Sequence, residues 1–314
     1  MEDYPHTLEE FEKRFSSEEG CRDYLYSLRW PNGFICLRCN NEKSWPANNT
    51  LFQCSSCDYK TSVIAGTIFQ GTHKPLTIWF RVIWWLTGQK NGASALGLKR
   101  ILGIGSYETA WAWLHKLRRA MVTPGRNLLI GTIEVDETYI GGEKPGKRGR
   151  GAEGKTLVVI GAETKGKKSI GRIRLQRKPD ASATSLNAGV IEAIQKGSVV
   201  KTDDWSGYKQ LNSLGYIHET VRKDYDIDDN LLPACHLIAS LLKRWLAGTH
   251  QGAVSHEHLD YYLDEFNFRF NRRTSNSRDT LFYRLLQNAV VVEPAPYKTL
   301  IKNVRGKKPI IHNI

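Results

Sequence analysis

The sequence has 314 residues, of which 40% are hydrophobic and 25% are charged, a composition that is typical of a globular protein with about two domains. The 45 Lys and Arg residues exceed the 32 Asp and Glu residues by 13, which favours a polyanionic partner, either nucleic acid or an anionic membrane surface. A membrane-spanning helix is not expected, because the longest apolar run, residues 76–86, is interrupted by Arg81 and is far shorter than the roughly 20 residues required.

The N-terminal residues 1–15 are acidic and amphipathic, which is the opposite of the basic and then apolar layout of a signal peptide. We therefore expect a cytoplasmic protein. In that reducing compartment its six cysteines are poor candidates for disulfide bonds, and metal binding is the better explanation for those that occur in pairs.

Two pairs of cysteines have the spacing of a metal-binding ribbon. Cys36 and Cys39 form one CxxC pair, Cys54 and Cys57 form the other, and fourteen residues separate the pairs. Each CxxC turn directs two thiolates at one ion, so the pairs predict a closed tetrahedral Zn²⁺ site with a structural role. The alternative is four buried or redox-active cysteines that are paired by chance. The first predicted domain, residues 1–67, comprises an N-terminal helix and this zinc ribbon.

Three helical segments follow the ribbon. Apolar residues recur at helical spacing in residues 76–86, 93–102 and 106–121, and basic residues lie near the ends of the last two. Three short helices with basic ends resemble a helix-turn-helix DNA-binding unit, and a plain three-helix core with solvated charges is the alternative. The basic composition favours DNA binding, so residues 68–124 are predicted to form a helical DNA-binding region.

After Pro124 the pattern changes to that of an α/β domain. The predicted elements are strands over residues 129–136, 156–163 and 169–176, a helix over 181–195, a strand over 198–203, a helix over 208–214 and a strand over 217–221. Three strands joined as hairpins, then strands crossed by helices, follow the order of an RNase H-like domain, in which the fourth strand pairs parallel to the first. We predict an RNase H-like mixed-sheet domain over residues 125–292 and a basic tail over 293–314.

Two aspartates lie on the strands that this topology makes neighbours. Asp136 is set among β-branched residues on the first strand, and Asp203 ends the fourth. Carboxylate oxygens are the ligands that Mg²⁺ and Mn²⁺ prefer, and two such ions about 4 Å apart can activate a nucleophile and stabilise a leaving oxygen. The pair predicts a divalent-metal site whose third ligand comes from a later helix.

The candidate for this third ligand is His236. His236 and Lys243 are seven residues apart, and seven steps of about 100° return to nearly the same face of a helix. On this face the histidine could hold metal while the lysine contacts a phosphate. The alternative is a helix with a stray imidazole and a solvated lysine. Glu265, in the next predicted helix, is the reserve candidate for a third acid.

Seven segments carry a family resemblance that covers nearly the whole chain, roughly from Phe11 to Val292. In chain order they are GFICLRC…CSSC, AGTIFQGT, VDETYIGG, TDDWSGY, LLKRWLAGTHQGAVS, YLDEFNFRFNRRTS and LFYRLLQNAV. Together they resemble bacterial insertion-sequence transposases of the zinc-ribbon family whose catalytic domain is related to the eukaryotic Merlin elements. The resemblance implies an RNase H-like domain that uses a DDE-type constellation and divalent metal to cut transposon ends and join them to target DNA.

The resemblance also assigns roles to individual residues. It implies that Asp136 and Asp203 are the first two catalytic residues, that His236 stands at the third position and that Lys243 is the lysine seven residues later. Histidine departs from the plain DDE pattern, but the family accepts Asn or His there, so a DDH variant of the triad is expected. Because imidazole suits Mn²⁺ better than Mg²⁺, both ions stay candidates.

A basic, glycine-rich segment, residues 141–155, joins the first two predicted strands beside Asp136. This composition cannot pack a core, and the segment could bind the phosphate backbone near the scissile bond with sequence-neutral, salt-dependent affinity. A solvated hairpin excursion is the alternative. The predicted DNA-binding residues are Lys144, Lys147, Arg148, Arg150, Lys155 and Arg244.

The sequence as a whole predicts a DNA transposase that binds double-stranded DNA, both transposon inverted repeats and target DNA, and catalyses metal-dependent cleavage and strand transfer. The resemblance further implies a homodimer or higher oligomer in a synaptic complex and a nucleoid-associated location in a bacterial cytoplasm. Two alternatives stay open: a catalytically silent zinc-ribbon DNA-binding protein, and an RNase H-like nuclease that cleaves without joining.

Overall fold

A computed structural model describes residues 3–122, 125–141, 155–166, 169–221, 231–252, 254–275 and 279–301. The chain divides into two compact units. The N-terminal unit comprises Met1–Pro124 together with Ser275–Ile314, and the sheet unit comprises Gly125–Thr274. Within the described ranges, no helix combines the length and the apolar character that crossing a bilayer requires.

The N-terminal unit begins with two capped helices and a small sheet. The elements are α1 (Leu8–Arg14), α2 (Glu18–Arg29), β1 (Ser44–Asn48), β2 (Leu51–Cys54) and β3 (Lys60–Ser62). The side chains of Thr7 and Ser17 accept hydrogen bonds from N–H groups in the first turns of α1 and α2, which fixes where each helix starts. The three strands form an antiparallel sheet in the order β1-β2-β3. Phe52 of β2 lies 5.1 Å from Tyr26 of α2, measured between ring centroids, so aromatic side chains attach the ribbon to this helix.

Three further helices lie where the sequence predicts helical segments. They are α3 (Leu76–Gly88), α4 (Ala95–Ile101) and α5 (Tyr107–Ala120). Ser94 and Ser106 cap α4 and α5, each accepting a hydrogen bond from an N–H group three residues later. Trp79 of α3 stacks on Trp113 of α5, with ring centroids 3.8 Å apart and the planes inclined by 16°. Stacked, buried indoles of this kind hold α3 and α5 in one core.

The sheet unit contains a mixed five-stranded sheet. Its strands are β4 (Thr132–Ile140), β5 (Thr156–Lys165), β6 (Ser169–Lys178), β7 (Val199–Thr202) and β8 (Ile217–Thr220). They lie in the order β6-β5-β4-β7-β8, with β4, β5 and β6 paired antiparallel and with β4, β7 and β8 paired parallel. The predicted α/β class and the predicted parallel pairing of the fourth strand of this unit with its first are therefore confirmed.

Helices cover both faces of this sheet. They are α6 (Ala183–Ala193), α7 (Pro233–His250) and α8 (Leu259–Phe270). Because side chains alternate along a strand, β5 supplies Val158 and Ile160 to the core beneath α7 and α8, and it supplies Leu157 and Val159 to the core beneath α6. Burial on both faces explains why the sequence of β5 is a continuous apolar run rather than an alternating pattern.

Side-chain amides of α8 bind the outer edge of β6. The Asn271 amide accepts a hydrogen bond from the Ile173 N–H at 2.7 Å and donates to the Ile173 carbonyl at 3.0 Å. Asn267, one turn earlier, makes the same two contacts with Leu175, at 3.1 and 3.4 Å. Each amide thus replaces one residue of a neighbouring strand, which explains why asparagines occur in the largely buried helix α8 and directly after it.

One predicted helix is wrong. Residues 208–214 form no α-helix: a 3-10 turn over Ser206–Tyr208 is followed by successive turns. The Leu211 N–H donates to the Tyr208 carbonyl, and this i→i+3 spacing belongs to tight turns. The segment is short, and its Asn and Ser side chains compete for backbone hydrogen bonds, so the buried apolar residues mimic a helical period without forming a helix.

The described chain ends with α9 (Asp279–Ala289) and α10 (Tyr297–Ile301), which belong to the N-terminal unit. Phe282 of α9 lies 5.4 Å from Trp84 of α3 and 5.6 Å from Phe11 of α1, measured between ring centroids. The sheet unit therefore ends at Thr274, whereas we expected it to extend to residue 292. The apolar face of α9 completes the helical core of the N-terminal unit.

A close approach at Gly171 of β6 offers a test of the sheet. A Cβ atom at this position would lie 2.8 Å from Oε2 and 2.9 Å from Cβ of Glu163, whose carboxylate is held by the N–H groups of Ile130 and Arg172. Gly171→Ala is expected to lower the free energy of unfolding by about 1–3 kcal/mol, measured by chemical denaturation. Gly248→Ala in α7, where a Cβ meets nothing within 4 Å, should be neutral or stabilising. Equal stability of the two variants would contradict the packing described.

Candidate functional site

Parallel pairing of β4 with β7 sets the positions of the two aspartates. The register pairs Glu134 of β4 with Lys201 of β7. Continuing this register by two residues places Asp136 alongside Asp203, which directly follows β7. Glu134 and Asp136 are two residues apart on one strand, so their side chains face the same side of the sheet, the side covered by α7.

Asp136 contacts His236 between the sheet and α7. The Oδ2 atom of Asp136 lies 3.4 Å from Nε2 of His236, and the two side chains are 19% and 52% exposed. Because α7 starts at Pro233, the histidine lies in the first turn of the helix. The other carboxylate oxygen of Asp136 accepts a hydrogen bond from the Glu137 N–H at 2.8 Å. The structure therefore brings the first predicted ligand against the third, at a place that solvent reaches.

The loop after β7 orients the Asp203 carboxylate. Its Oδ1 atom accepts a hydrogen bond from the Trp205 N–H at 3.1 Å, and the indole N–H of Trp205 donates to the Ala181 carbonyl at 3.2 Å. A Cβ atom at Gly207 would lie 2.8 Å from Leu186 and 2.9 Å from the Trp205 indole nitrogen, so only glycine fits there without displacement. This packing ties the second aspartate to the core beneath α6.

A buried tyrosine lies close to these carboxylates. Tyr208 is fully buried, and burial raises the pKa of its hydroxyl well above the usual value. The negative charges of Glu137, Asp136 and Asp203 raise the pKa further in the same direction. Tyr208 belongs to the core beneath α6, against which Trp205 also packs.

Glu134, a glutamate that is only 7% exposed, was not predicted from the sequence as part of this site. Its Oε2 atom accepts hydrogen bonds from the N–H groups of Ala234 at 2.8 Å and Cys235 at 3.1 Å, in the first turn of α7. Burial raises the pKa of Glu134, and these two donors and the nearby His236 oppose that shift. The signal in the sequence is an acidic residue between two apolar β-branched residues, Ile133 and Val135, on the same face of the strand as Asp136.

Two cations lie further along α7. Lys243 and Arg244 are both exposed, about two turns beyond His236, and Ser240, which lies between His236 and Lys243, is exposed as well. The predicted spacing of His236 and Lys243 on one helical face is therefore consistent with the exposed side of α7. Arg244, the next residue after Lys243, is rotated from it by about 100° around the helix axis.

Glu265 does not lie at this site. It is fully buried in α8, and its Oε1 atom binds Nε of Arg269 at 2.9 Å. α8 packs against β6, which is separated from β4 by β5. The structure therefore favours His236 over the reserve candidate as the third side chain beside Asp136.

The donor set of this site suits a hard or borderline divalent cation. Mn²⁺ binds readily to two carboxylates and one imidazole, whereas Mg²⁺ binds mainly to the carboxylate oxygens of such a set. The 3.4 Å separation of Asp136 and His236 is compatible with two ligands of a single ion. The donor atoms of Asp136, Asp203 and His236 lie further apart than those of the four cysteines. Among the described residues, only the cysteine cluster has three or more metal-binding side chains whose donor atoms all lie within 4.8 Å of one another.

The four cysteines of the ribbon form a compact cluster. The sulfur atoms of Cys36 and Cys57 lie 3.7 Å apart, and those of Cys39 and Cys54 lie 3.6 Å apart. Tetrahedral ligands at about 2.3 Å from Zn²⁺ have sulfur–sulfur distances of about 3.8 Å, so the cluster fits a structural zinc ion. The Cys36 sulfur accepts a hydrogen bond from the N–H group two residues later, at 3.4 Å, and the Cys54 sulfur does the same. Such hydrogen bonds stabilise the thiolate form of the cysteine.

The basic segment is described only at its two ends. Thr156 pairs with Ile140, so the segment leaves and re-enters the sheet at the ends of β4 and β5, four residues along β4 from Asp136. Lys155 directly precedes β5 and is partly buried. The other predicted DNA-binding residues of the segment lie outside the described residues: Lys144, Lys147, Arg148 and Arg150.

Comparison with known proteins connects both sites to one biological context. Residues 128–271 match the ISXO2-like transposase domain, and residues 16–60 match the transposase zinc-ribbon domain. The first range contains Asp136, Asp203 and His236, and the second contains all four clustered cysteines. The chain is also similar to a Halobacterium salinarum protein described as an uncharacterized protein in transposable element ISH50, at 28% identity over 280 residues, which cover 82% of this chain and 92% of that protein.

Removal of one ribbon ligand should release the zinc ion. Cys54→Ser is expected to lower the zinc content from about one ion per chain to near zero, because three thiolates do not complete a closed tetrahedral site. The measurement is elemental analysis of the purified protein. Cys21→Ala is the matched control, since Cys21 is buried but lies outside the cluster, and it should keep its zinc. Full zinc occupancy in Cys54→Ser would contradict the assignment.

Proposed function

Because this chain belongs to the insertion-sequence transposases that combine a transposase zinc ribbon with an ISXO2-like transposase domain, we propose that Asp136, Asp203 and His236 catalyse cutting of the element's ends and their joining to target DNA. The two matched domain families support a DNA-processing enzyme that binds DNA. The residue assignment is supported above all by the 3.4 Å contact between Asp136 of β4 and His236 of α7. Asp203 adds to it, because it directly follows β7, the parallel neighbour of β4.

The reaction has two phosphoryl-transfer steps. In the first, water attacks a phosphodiester at the end of the element and the 3′-hydroxyl of the element leaves. In the second, that 3′-hydroxyl attacks a phosphodiester of the target, a new P–O bond forms and the target's own 3′-hydroxyl leaves. Bound Mg²⁺ or Mn²⁺ supplies charge neutralisation and activation of the attacking oxygen in such reactions. Asp136, Asp203 and His236 would hold these ions, and the parallel pairing of β4 and β7 keeps the aspartates in place.

Positive charge on α7 and in the basic segment would hold the DNA strand. Lys243 and Arg244 lie exposed on α7, beyond His236, and are suited to binding the phosphates that flank the cleaved bond. The basic segment between β4 and β5 adds cations near the end of the same strand as Asp136. These contacts are to the DNA phosphate backbone, so they provide affinity and position the protein on the DNA but do not select a sequence.

The N-terminal unit would recognise the ends of the element. α4 and α5 are joined by a five-residue connection, and each helix begins at a serine cap, an arrangement similar to a helix-turn-helix. We assign end recognition to residues 68–124 together with the ribbon in residues 1–67. A transposition event joins two ends, so we propose that two or more copies of the chain assemble on double-stranded DNA at the nucleoid.

Loss of the first aspartate should abolish chemistry and spare binding. Asp136→Asn is expected to reduce strand transfer below about one thousandth of the wild-type rate, since several kcal/mol of transition-state stabilisation depend on the metal ligands. The assay uses labelled duplexes that carry the inverted repeats of the encoding element, with Mn²⁺ or Mg²⁺. Electrophoretic mobility shift of the same duplexes provides the binding control and should be unchanged.

The products of the wild-type protein in this assay distinguish the alternatives. Joined products support the transposase assignment. Nicked ends without joined products indicate a nuclease, and binding without any cleavage indicates a silent DNA-binding protein. Retained cleavage in Asp136→Asn would show that Asp136 is not a catalytic residue.

Substitution of the third position tests the metal preference. His236→Ala should weaken metal-dependent cleavage by about 10- to 100-fold, because one of three side-chain ligands is lost. His236→Glu restores a hard oxygen donor and is expected to shift the preference from Mn²⁺ towards Mg²⁺. Initial rates across a titration of each metal give the comparison. If neither substitution changes the rates, His236 is not a ligand.

Neutralising the basic segment should weaken DNA binding uniformly. Arg148→Gln combined with Arg150→Gln is expected to make the negative slope of log affinity against log salt less steep by about 2. Each phosphate that the protein no longer neutralises accounts for about one unit. The binding constants are measured at several salt concentrations on inverted-repeat duplexes and on duplexes of scrambled sequence. A decrease confined to inverted-repeat duplexes would assign these arginines to sequence recognition instead.

A further inference from the structure

The first turn of α7 lacks a cap of its own. Leu232 at the N-cap position provides no side-chain hydrogen bond, and Pro233 at the first helical position has no N–H group. The next two N–H groups, those of Ala234 and Cys235, have no acceptor within the helix. Both are instead bound by one carboxylate oxygen of Glu134, which reaches them from β4. The cap of this helix is therefore supplied by a residue a hundred positions earlier in the chain.

The same turn makes two other contacts with the sheet. The thiol of Cys235 is fully buried and donates to the Ile160 carbonyl of β5 at 3.6 Å. His236, the next residue, contacts Asp136. Three consecutive residues of α7 are thus attached to β4 and β5, and on β4 the two attachment points are two residues apart on one face. This arrangement fixes both the height and the rotation of the first turn over the sheet.

We propose that Glu134 is a positioning residue that places His236 against Asp136 by capping the first turn of α7. The proposal rests on the function proposed above, in which these two side chains hold a divalent cation. Glu134 makes no contact with the reacting groups in this scheme. Its effect depends on the position of its oxygen acceptor and not on its negative charge.

Two substitutions separate position from charge. Glu134→Gln keeps the length of the side chain and an oxygen acceptor but removes the charge. Glu134→Asp keeps the charge but withdraws the carboxylate by one methylene, about 1.5 Å, so that it cannot reach both N–H groups. If the position of the oxygen acceptor matters, Glu134→Gln keeps the contact of His236 with Asp136 and Glu134→Asp loses it. If charge matters, the order is reversed.

The experiment measures Mn²⁺ binding to the full-length, zinc-loaded protein in the absence of DNA, by electron paramagnetic resonance of the free ion. Glu134→Asp is expected to weaken Mn²⁺ affinity by about tenfold or more, and Glu134→Gln should remain close to wild type. Hydrogen–deuterium exchange of the peptide that contains Ala234 and Cys235 gives a second measurement, because exchange should accelerate in Glu134→Asp only. Weaker Mn²⁺ binding by Glu134→Gln than by Glu134→Asp would overturn the proposal.

Glu163→Asp is the matched control for general destabilisation. Glu163 is likewise a buried glutamate of the sheet that binds two backbone N–H groups, those of Ile130 and Arg172, but it lies three residues from the position that pairs with Asp136. This variant should keep wild-type Mn²⁺ affinity. An equal loss in Glu163→Asp and Glu134→Asp would overturn a specific role for Glu134.

His236→Ala distinguishes failure of the metal site from failure of the positioning role. A loss of Mn²⁺ affinity in His236→Ala combined with wild-type affinity in Glu134→Asp would overturn only the role of Glu134. Wild-type affinity in His236→Ala would overturn the proposed metal site, and the role of Glu134 with it.

Discussion

The parallel pairing of β4 with β7 is the constraint on which the sheet unit depends. Parallel neighbours cannot be joined by a tight turn, so the chain crosses from β6 to β7 through α6, which buries one face of the sheet. The other face is left for α7 and α8. With both faces covered, polar groups gather where strands end, and that is where Asp203 follows β7 and lies alongside Asp136.

Much of this architecture follows from local sequence patterns. The spacing of the two CxxC pairs predicts the ribbon because two adjacent thiolates in one turn already define half of a tetrahedral site. Alternating and continuous apolar runs predict the strands, and the order of strands and helices predicts which strands pair. The match of the helical period to the seven-residue interval between His236 and Lys243 predicts that both lie on one face, and the structure places both among exposed residues.

The features that local patterns did not predict are those with distant partners. Glu134 binds backbone N–H groups a hundred residues away, and nothing in its immediate sequence states where they are. The apolar face of α9 is evident in the sequence, but its partners Trp84 and Phe11 belong to the other end of the chain. Residues 208–214 have apolar residues at helical spacing, yet burial of Tyr208 and Leu211 requires only successive turns.

Two asparagines, one in α8 and one directly after it, determine how the sheet can pair with other chains. An outer strand normally presents free N–H and C=O groups that a second polypeptide can extend, and here Asn267 and Asn271 already satisfy those of Leu175 and Ile173. A further strand added at this border would have to break four amide hydrogen bonds before forming any of its own. Strand addition at this border is therefore disfavoured, both for a second copy of the chain and for the strand-by-strand accretion that leads to fibrils.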